Sequence, residues 1–386
     1  MHVLTCLTDA RVGGPQIRSL SVARLLRKRG IETSFLFPPG EDAFEELLVD
    51  EGFSVYRPDF LCVHPPAQVV SNLDYVTTFP LSVYRILDCI RDANPDLVHV
   101  NMSFNFQSTV AARLSDSRVL WHLNDVNAPW PLSRVVAASA KALSDTIVVS
   151  SNAVNEYYFA DGWSGSETIY PVVDTEKYDP ARDFSEQPTL HEELNVDAST
   201  PIIGSVGNVN PVKGYEYLLR AVRHVVDSYG PVYVPIAGAK LDTQREYYRS
   251  LKRLQIELGL EDTVHFLGRR SDIPRLLSAF DVFAMPSVAE TGPMTLMEAM
   301  AMEKPIVTTN VGVVPEQFTH QEHGLVVPPK DAEGLGTALY ELLNKPENGF
   351  EYGQNARERA KSAFSIDKIT DRHVEIYRSA VHNRII

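Results

Sequence analysis

The chain has 386 residues, of which 44% are hydrophobic and 22% charged, and carries a formal net charge of −14. At about 150 residues per domain this length predicts two or three domains with sizeable cores, and the composition excludes disorder, collagen and coiled coil. The acidic balance argues against nucleic acid as a partner, since phosphate binding wants a basic surface.

Short apolar runs alternate with amphipathic stretches almost from the first residue. Strand-like 2–7 is followed by the Gly13-Gly14-Pro15 turn and by a helical pattern over 16–29, with Ile17, Leu20, Ala23, Leu25 and Leu26 at helical spacing and Gly30 closing it. Then come strand 33–37 and helix 43–49, strand 97–100 and helix 107–114, strand 118–122 and helix 133–143, and strand 146–149 and helix 152–159. The pattern lapses over 171–199, rich in Asp, Glu, Pro and Thr, and restarts with strand 202–206, a glycine loop over 207–214 and helix 215–227. Strands 232–237, 264–267, 282–285, 306–308 and 325–327 follow, with helices near 245–258, 273–279, 294–302 and 332–343, and a terminal helix over 365–386. Such alternation predicts an α/β protein with two doubly wound parallel-sheet domains. We place the first at 1–180, with the terminal helix packing back on it, the second at 198–364, and a linker at 181–197. Ligands in such sheets bind beyond the carboxyl ends of the strands at the switch point, so the two domains are expected to face each other across a deep cleft.

Cys6, Cys62 and Cys89 are an odd set in the first quarter of the chain, which predicts a reducing, cytoplasmic setting rather than a disulfide framework. No apolar run reaches the roughly eighteen residues of a membrane span. The start, MHVLTCLTDARVGG, lacks a basic region and a cleavage site, so no signal peptide is expected.

Four places carry chemistry. In Glu290-Thr-Gly-Pro-Met-Thr-Leu-Met-Glu298 a turn leads into a helix near Met294, whose N-terminal amides and dipole suit a phosphate. Glu290 and Glu298 flank that seat, either to hydrogen-bond hydroxyls or as a plain loop charge and a solvated helix face. Gly207-Asn-Val-Asn-Pro-Val-Lys213-Gly214 is a glycine-bounded strand-to-helix loop ending in lysine. It is not a Walker A, but Lys213 offers a point charge to a diphosphate, or simply caps a turn. Gly13 and Gly14 permit close backbone approach, or form an ordinary turn. His122, in Leu-Trp-His-Leu-Asn-Asp125, is expected at the carboxyl end of its strand and pointing into the cleft, whereas His99 sits mid-strand as a packed core histidine. There is no GxSxG, HExxH, CxxC or DxD pattern, so diphosphate charge would be met by lysine, arginine and helix N-termini rather than by a metal.

In this order and spacing the chain resembles the retaining glycosyltransferases of the GT-B fold, family 4. The resemblance runs from Gly13-Gly14 through Asp96-Leu-Val-His99, His122 and Tyr170-Pro-Val-Val-Asp174 to the 207–214 loop and Val264-His-Phe-Leu-Gly268. It continues through Asp281-Val-Phe-Ala-Met-Pro286-Ser287, Glu290-x7-Glu298, Lys304-Pro305, Val311-Gly312 with Glu316, and Gly324 to Asp331. It implies a nucleotide-diphospho-sugar donor of UDP or GDP type, a hexosyl unit transferred to a saccharide or lipid-linked acceptor with retained configuration, and no metal or other cofactor. Glu290 would contact the sugar and Glu298 the ribose, and amides near Met294 and Thr295 would hold the diphosphate with Lys213. Gly14 would approach the phosphates, positions around Gly268 would border the base, and His122 would serve catalysis on the acceptor side. Acceptor choice would lie in loops such as 59–78.

Three positions depart from the family. Asn208 stands where an arginine is usual, which weakens the expected clamp unless Arg269, Arg270 or Arg11 substitutes. Val313 replaces a second glycine, and the aspartate beside the histidine is displaced to Asp125. Asn208 keeps open a non-catalytic nucleotide-sugar-binding subunit, and a sugar-nucleotide epimerase or a phosphorylase shares the fold. Arg18, Arg24, Arg27, Lys28 and Arg29 on the first helix are either an ordinary amphipathic surface or a peripheral membrane contact.

Overall fold

The computed structural model describes residues 1–63, 69–126, 128–159, 163–194 and 196–382. Two compact units emerge, Met1–Tyr170 with Ile366–Ile386, and Pro171–Ser365.

The first unit is built on β1 His2–Cys6, β2 Glu32–Leu36, β3 Ser54–Tyr56, β4 Leu97–Asn101, β5 Arg118–Leu123, β6 Thr146–Val149 and β7 Ser166–Thr168. They form one seven-stranded sheet in the order β3-β2-β1-β4-β5-β6-β7, with every pairing parallel. The central strands are buried on both sides, which is why they read as continuous apolar runs. Alternation sorts their residues between the two faces. Leu4, Val98, Val100, Val119, Trp121 and Leu123 join one apolar core beneath the helices Phe106–Arg113 and Leu132–Leu143. The opposite face carries Thr33, Thr5, His99, Asn101 and His122, with Thr5 opposite His99, Asn101 opposite His122, and Thr33 opposite Val3. The helices Gly14–Lys28 and Ile366–His382 cover that face and touch each other.

The first helix opens on Pro15, whose fixed φ suits a first turn, and ends with Arg27 and Lys28 against the negative end of its dipole. Its basic residues are largely spent inside the unit. Arg24 pairs with Glu51, and Arg27 donates to the carbonyls of Glu51 and Gly52 while lying 3.9 Å over the Phe53 ring. Arg29 pairs with Asp367 and Asp371, at 3.1 and 2.7 Å, and Arg18 turns toward the sheet. Arg18, Arg24, Arg27 and Arg29 thus all have partners within the unit. Among the described residues no helix is long and apolar enough to cross a membrane.

The stretch 59–78 is not a loop throughout, since helix Val69–Ala93 begins within it, and 64–68 lie outside the described residues. The sequence hid this helix because Pro80 lies inside it and Val70, Leu73, Val76 and Tyr84 remain exposed. The edge strands β3 and β7, three residues each, were likewise too short and polar to announce themselves.

The second unit holds β8 Ile203–Val206, β9 Val234–Ala237, β10 Val264–Gly268, β11 Val282–Met285, β12 Ile306–Thr309 and β13 Leu325–Val327. Its six-stranded parallel sheet runs β10-β9-β8-β11-β12-β13, so chain order reverses between β8 and β11. The core gathers Ile203, Val234, Ile236, Ala284 and Val307 with Leu218, Leu219 and Val222 of helix Tyr215–Ser228 and Leu335 and Leu339 of helix Ala332–Asn344. Each fully buried aliphatic side chain of this kind stabilises by about 1.5–3 kcal/mol. The unit starts at Pro171, so residues 171–180, placed above with the first domain, group with this sheet. So does 181–197: its short helix Leu190–Leu194 is held by Glu193, which takes Arg270 and Arg275 at 2.5 and 2.8 Å. Helix Pro346–Arg359, unanticipated from sequence, brings the buried Arg357 to the carbonyls of Ala301 and Tyr178 and to Asp179.

Candidate functional site

The switch point of the second sheet assembles the site. The loop after β8 closes in a 3₁₀ turn, Pro211–Lys213, and Gly214 then enters helix Tyr215–Ser228 with φ +65°. A Cβ at Gly214 would sit 2.2 Å from the carbonyl oxygen of Pro286, so this glycine is required both by its left-handed backbone and by the approach of the loop after β11. Val288 N–H donates to the Val212 carbonyl at 2.8 Å and fastens the two loops together.

Across that junction Lys213 Nζ lies 2.6 Å from Glu290 Oε1, with side chains only 18% and 13% exposed. Ser287 Oγ donates to the same oxygen at 2.9 Å, and Thr309 Oγ1 holds the Ser287 carbonyl at 2.5 Å. Gly312, at φ +59°, lies so close to the Glu290 backbone that a Cβ would come within 2.8 Å of its carbonyl oxygen. The carboxylate is therefore fixed by a cation, a hydroxyl and a packed loop, and removing either charge would leave the other largely buried without its counter-charge.

Pro293 precedes helix Met294–Ala301, whose first amides have no intrahelical acceptor. Thr295 Oγ1 is buried there without a hydrogen-bond partner, as is Asn210 Oδ1 in the opposite loop. Orphaned polar atoms beside a cation and a helix N-terminus fit a bound anion with hydroxyls. One turn further, Glu298 Oε1 accepts from Tyr178 O–H at 2.7 Å. Burial raises the Glu298 carboxyl above its ordinary range, opposed by the Tyr178 hydrogen bond and by Lys177. Burial, reinforced by the nearby Glu298 charge, also pushes the Tyr178 phenol up, so it stays a donor.

Lys213, Glu290, Met294, Thr295 and Glu298 thus belong to one region of the second unit. Gly268, at φ +75°, ends β10, two strands out from β8, which is about 10 Å by strand spacing. Gly13 and Gly14 sit at the start of the first helix, in the other unit. Gly13 has φ −143°, extended backbone that any residue adopts.

The departures acquire physical readings. Asn208 Oδ1 accepts from Ala239 N–H at 3.1 Å and ties the loop after β8 to that after β9. Arg270 is committed to Glu193 and Asp272, and Arg11 pairs with Asp9 in the first unit. Val313 has φ −77° and a buried side chain, so its backbone does not need glycine. Asp125 accepts from the Ser103 amide and hydroxyl, at 2.8 and 2.7 Å, and ties the loop after β5 to that after β4.

His122 is corrected outright. It is the fifth of six residues in β5, and strand parity turns it to the face covered by the first and last helices, where it is 1% exposed and 3.2 Å from His99. Burial lowers its pKa well below the ordinary histidine range. His99 packs as expected, with Nδ1 2.6 Å from Tyr377 Oη. Sequence reasoning missed Ser287, Tyr178 and Gly312 as parts of the site. Ser287 stands three residues before Glu290 and was quoted without a role, while Tyr178 meets Glu298 across 120 positions with no local signal.

With this geometry established, comparison with known proteins gives two adjoining family matches. Residues 12–177 match the model of Glycosyltransferase Family 4, and residues 186–359 that of Glycosyl transferases group 1. A D-inositol 3-phosphate glycosyltransferase of Saccharomonospora viridis is 31% identical over 254 residues, which is 64% of this chain and 57% of that protein. One of Corynebacterium urealyticum is 25% identical over 395 residues, covering 95% of this chain and 91% of that protein. The crystal structure of Anabaena HepE in complex with UDP and glucose superposes with a TM-score of 0.83 at 22% identity, over 98% of this chain and 100% of that one. The fold is GT-B.

Proposed function

This chain belongs to the glycosyltransferases, group 1 and family 4, and we propose that it moves a hexosyl unit from a nucleotide-diphospho-sugar to a hydroxyl with retained anomeric configuration. The observation that carries this reading is the Lys213–Glu290 contact at the switch point, beside the Thr295 hydroxyl and the helix opening at Met294.

In this account the diphosphate lies against the first amides of helix Met294–Ala301 and draws Lys213 Nζ away from Glu290. Glu290, held by Ser287, then accepts from the sugar hydroxyls, and Glu298, aimed by Tyr178, from the ribose. The bond from C1 to the diphosphate oxygen breaks with its electron pair leaving to the nucleoside diphosphate. The acceptor oxygen bonds C1 and releases its proton to the departing diphosphate. Fixed dipoles and one ammonium group meet the developing charge, without a divalent ion. A UDP-type donor is the first choice, with GDP second, because HepE is described in complex with UDP-glucose. The acceptor is a saccharide or lipid-linked hydroxyl.

Turnover of a panel of UDP- and GDP-sugars by the purified chain, with the product anomer assigned by NMR, tests this. A retained linkage formed in the presence of chelator is expected; an inverted product, or activity that needs a metal, contradicts it. The engagement of Asn208 with Ala239 favours one competing reading, a subunit that binds nucleotide-sugar without transfer. Saturable donor binding with no turnover on any acceptor would establish that alternative.

A further inference from the structure

The polar row on the covered face of the first sheet has no part in the reaction above. Thr33, His99, Asn101 and His122 line, with Arg18 and His373, a cavity of about 20 Å³, space for one water-sized body. Thr33 Oγ1, Asn101 Nδ2 and His122 Nε2 are buried there without a hydrogen-bond partner, on residues 6%, 5% and 1% exposed.

The hydrogen-bond network sets the direction of these groups. Burial keeps Tyr377 protonated, and its hydroxyl donates to His99 Nδ1 at 2.6 Å. His99 Nε2–H then donates to His122 Nδ1 at 3.2 Å, which leaves His122 Nε2 carrying a proton and no acceptor. Asn101 Oδ1 is taken by Asn124 Nδ2 at 3.4 Å, so Asn101 also turns donor hydrogens to the cavity. His373 Nδ1–H donates to the Ile369 carbonyl at 2.8 Å. That leaves its Nε2 as an acceptor lining the cavity.

Arg18 supplies the charge. Burial lowers its pKa to about 10, so it is cationic at neutral pH, and its hydrogen bond to the Tyr170 carbonyl is a long 3.5 Å. Among the described residues no carboxylate lies within ion-pair reach of it. A charge taken out of water without a counter-charge is costly, and the unpartnered donors of Asn101 and His122 in the same cavity ask for an anion.

We infer that this cavity binds one monoatomic anion of the halide class, held by the Arg18 guanidinium and by Asn101 Nδ2 and His122 Nε2–H, which belong to residues paired on adjacent strands. The volume excludes phosphate and sulfate. Because the first helix, the sheet and helix Ile366–His382 all meet there, the anion fastens the last helix to its unit. The inference concerns the first unit alone and does not depend on glycosyl transfer.

Bromide is the probe. Crystals of the full chain grown in sodium bromide should give an anomalous peak within hydrogen-bond distance of Asn101 Nδ2 and His122 Nε2. In solution, replacing gluconate by chloride at constant ionic strength should raise the unfolding midpoint by about 5 °C at saturation, by linkage. Arg18→Gln should lose that increment, and Asn101→Asp, which supplies an internal carboxylate, should lose it while remaining folded. Ordinary water without anomalous signal, or equal midpoints in the two salts, would overturn the proposal. The wild-type crystal decides the matter even if neither variant folds.

Discussion

The two units share a doubly wound parallel sheet but keep their polar chemistry in different places. In the second, Lys213, Glu290, Ser287 and Thr295 come from loops and a helix tip beyond the carboxyl ends of β8 and β11. In the first, Thr33, His99, Asn101 and His122 lie on the strands themselves and face a covering pair of helices. The difference teaches that a polar residue near a strand end is not thereby at a ligand face. A residue in the loop beyond the strand escapes the pleat, while one still inside it is assigned a face by parity.

Acid should separate the units most strongly. His99, His122 and His373 are all lowered by burial, His373 to about 3, so below an unfolded-state value near 6.5 the unfolded chain binds more protons and the folded first unit loses stability as pH falls. Each such histidine costs about 1.4 kcal/mol per pH unit below that point. Glu298 has the opposite sign, because a carboxyl raised by burial is relieved by protonation. Hydrogen exchange between pH 7 and 5 should therefore show protection failing in β4 and β5 while β8 and β11 hold. Equal loss in both units would break the contrast.

Next in size is the loss of the switch-point pair. Lys213→Ala and Glu290→Ala should each lower kcat/KM by about 10²–10³ in initial-rate measurements. The double variant should be little worse than either, since each single change already strands its partner. Independent, multiplying effects would mean that the two side chains act in separate places.

Glycines sharpen the comparison through backbone. Gly214→Ala combines positive φ with a Cβ 2.2 Å from Pro286 O, and should cost about 2 kcal/mol or more by chemical denaturation. Gly30 of the first unit has φ +75° but nothing within 4 Å, so Gly30→Ala should cost only the strain, about 1 kcal/mol. Similar losses at both would show that the two loops of the second unit are not pressed together.

Tyr178→Phe removes one hydrogen bond to the Glu298 carboxylate and should raise the donor KM about tenfold with kcat little changed. A fall in kcat alone would give Tyr178 a different role. Chelation should have the smallest effect, less than about twofold on turnover if no divalent ion serves the diphosphate.

Most strands of both sheets were legible because parallel strands buried on both faces leave apolar runs, as in Leu97–Asn101 and Val282–Met285. The exceptions were physical rather than accidental. Helix Val69–Ala93 carries a proline and keeps apolar residues in solvent, and the three-residue edge strands bury little. At the site, Lys213, Glu290 and Glu298 were readable because glycine turns and a helix start mark them locally. Their partners were not, since Lys213 reaches Glu290 across 77 positions and Tyr178 reaches Glu298 across 120. His122 misled for a third reason: the sequence places it near a strand end, but β5 extends to Leu123 and turns it inward.

The central claim is that the donor diphosphate is gripped at the tip of helix Met294–Ala301 by Lys213. A crystal structure of the chain with UDP tests it most directly. The account predicts phosphate oxygens within hydrogen-bond distance of the Met294 or Thr295 amide and of Lys213 Nζ, with the Lys213–Glu290 contact opened. Nucleotide bound elsewhere, with that 2.6 Å contact intact, would contradict it.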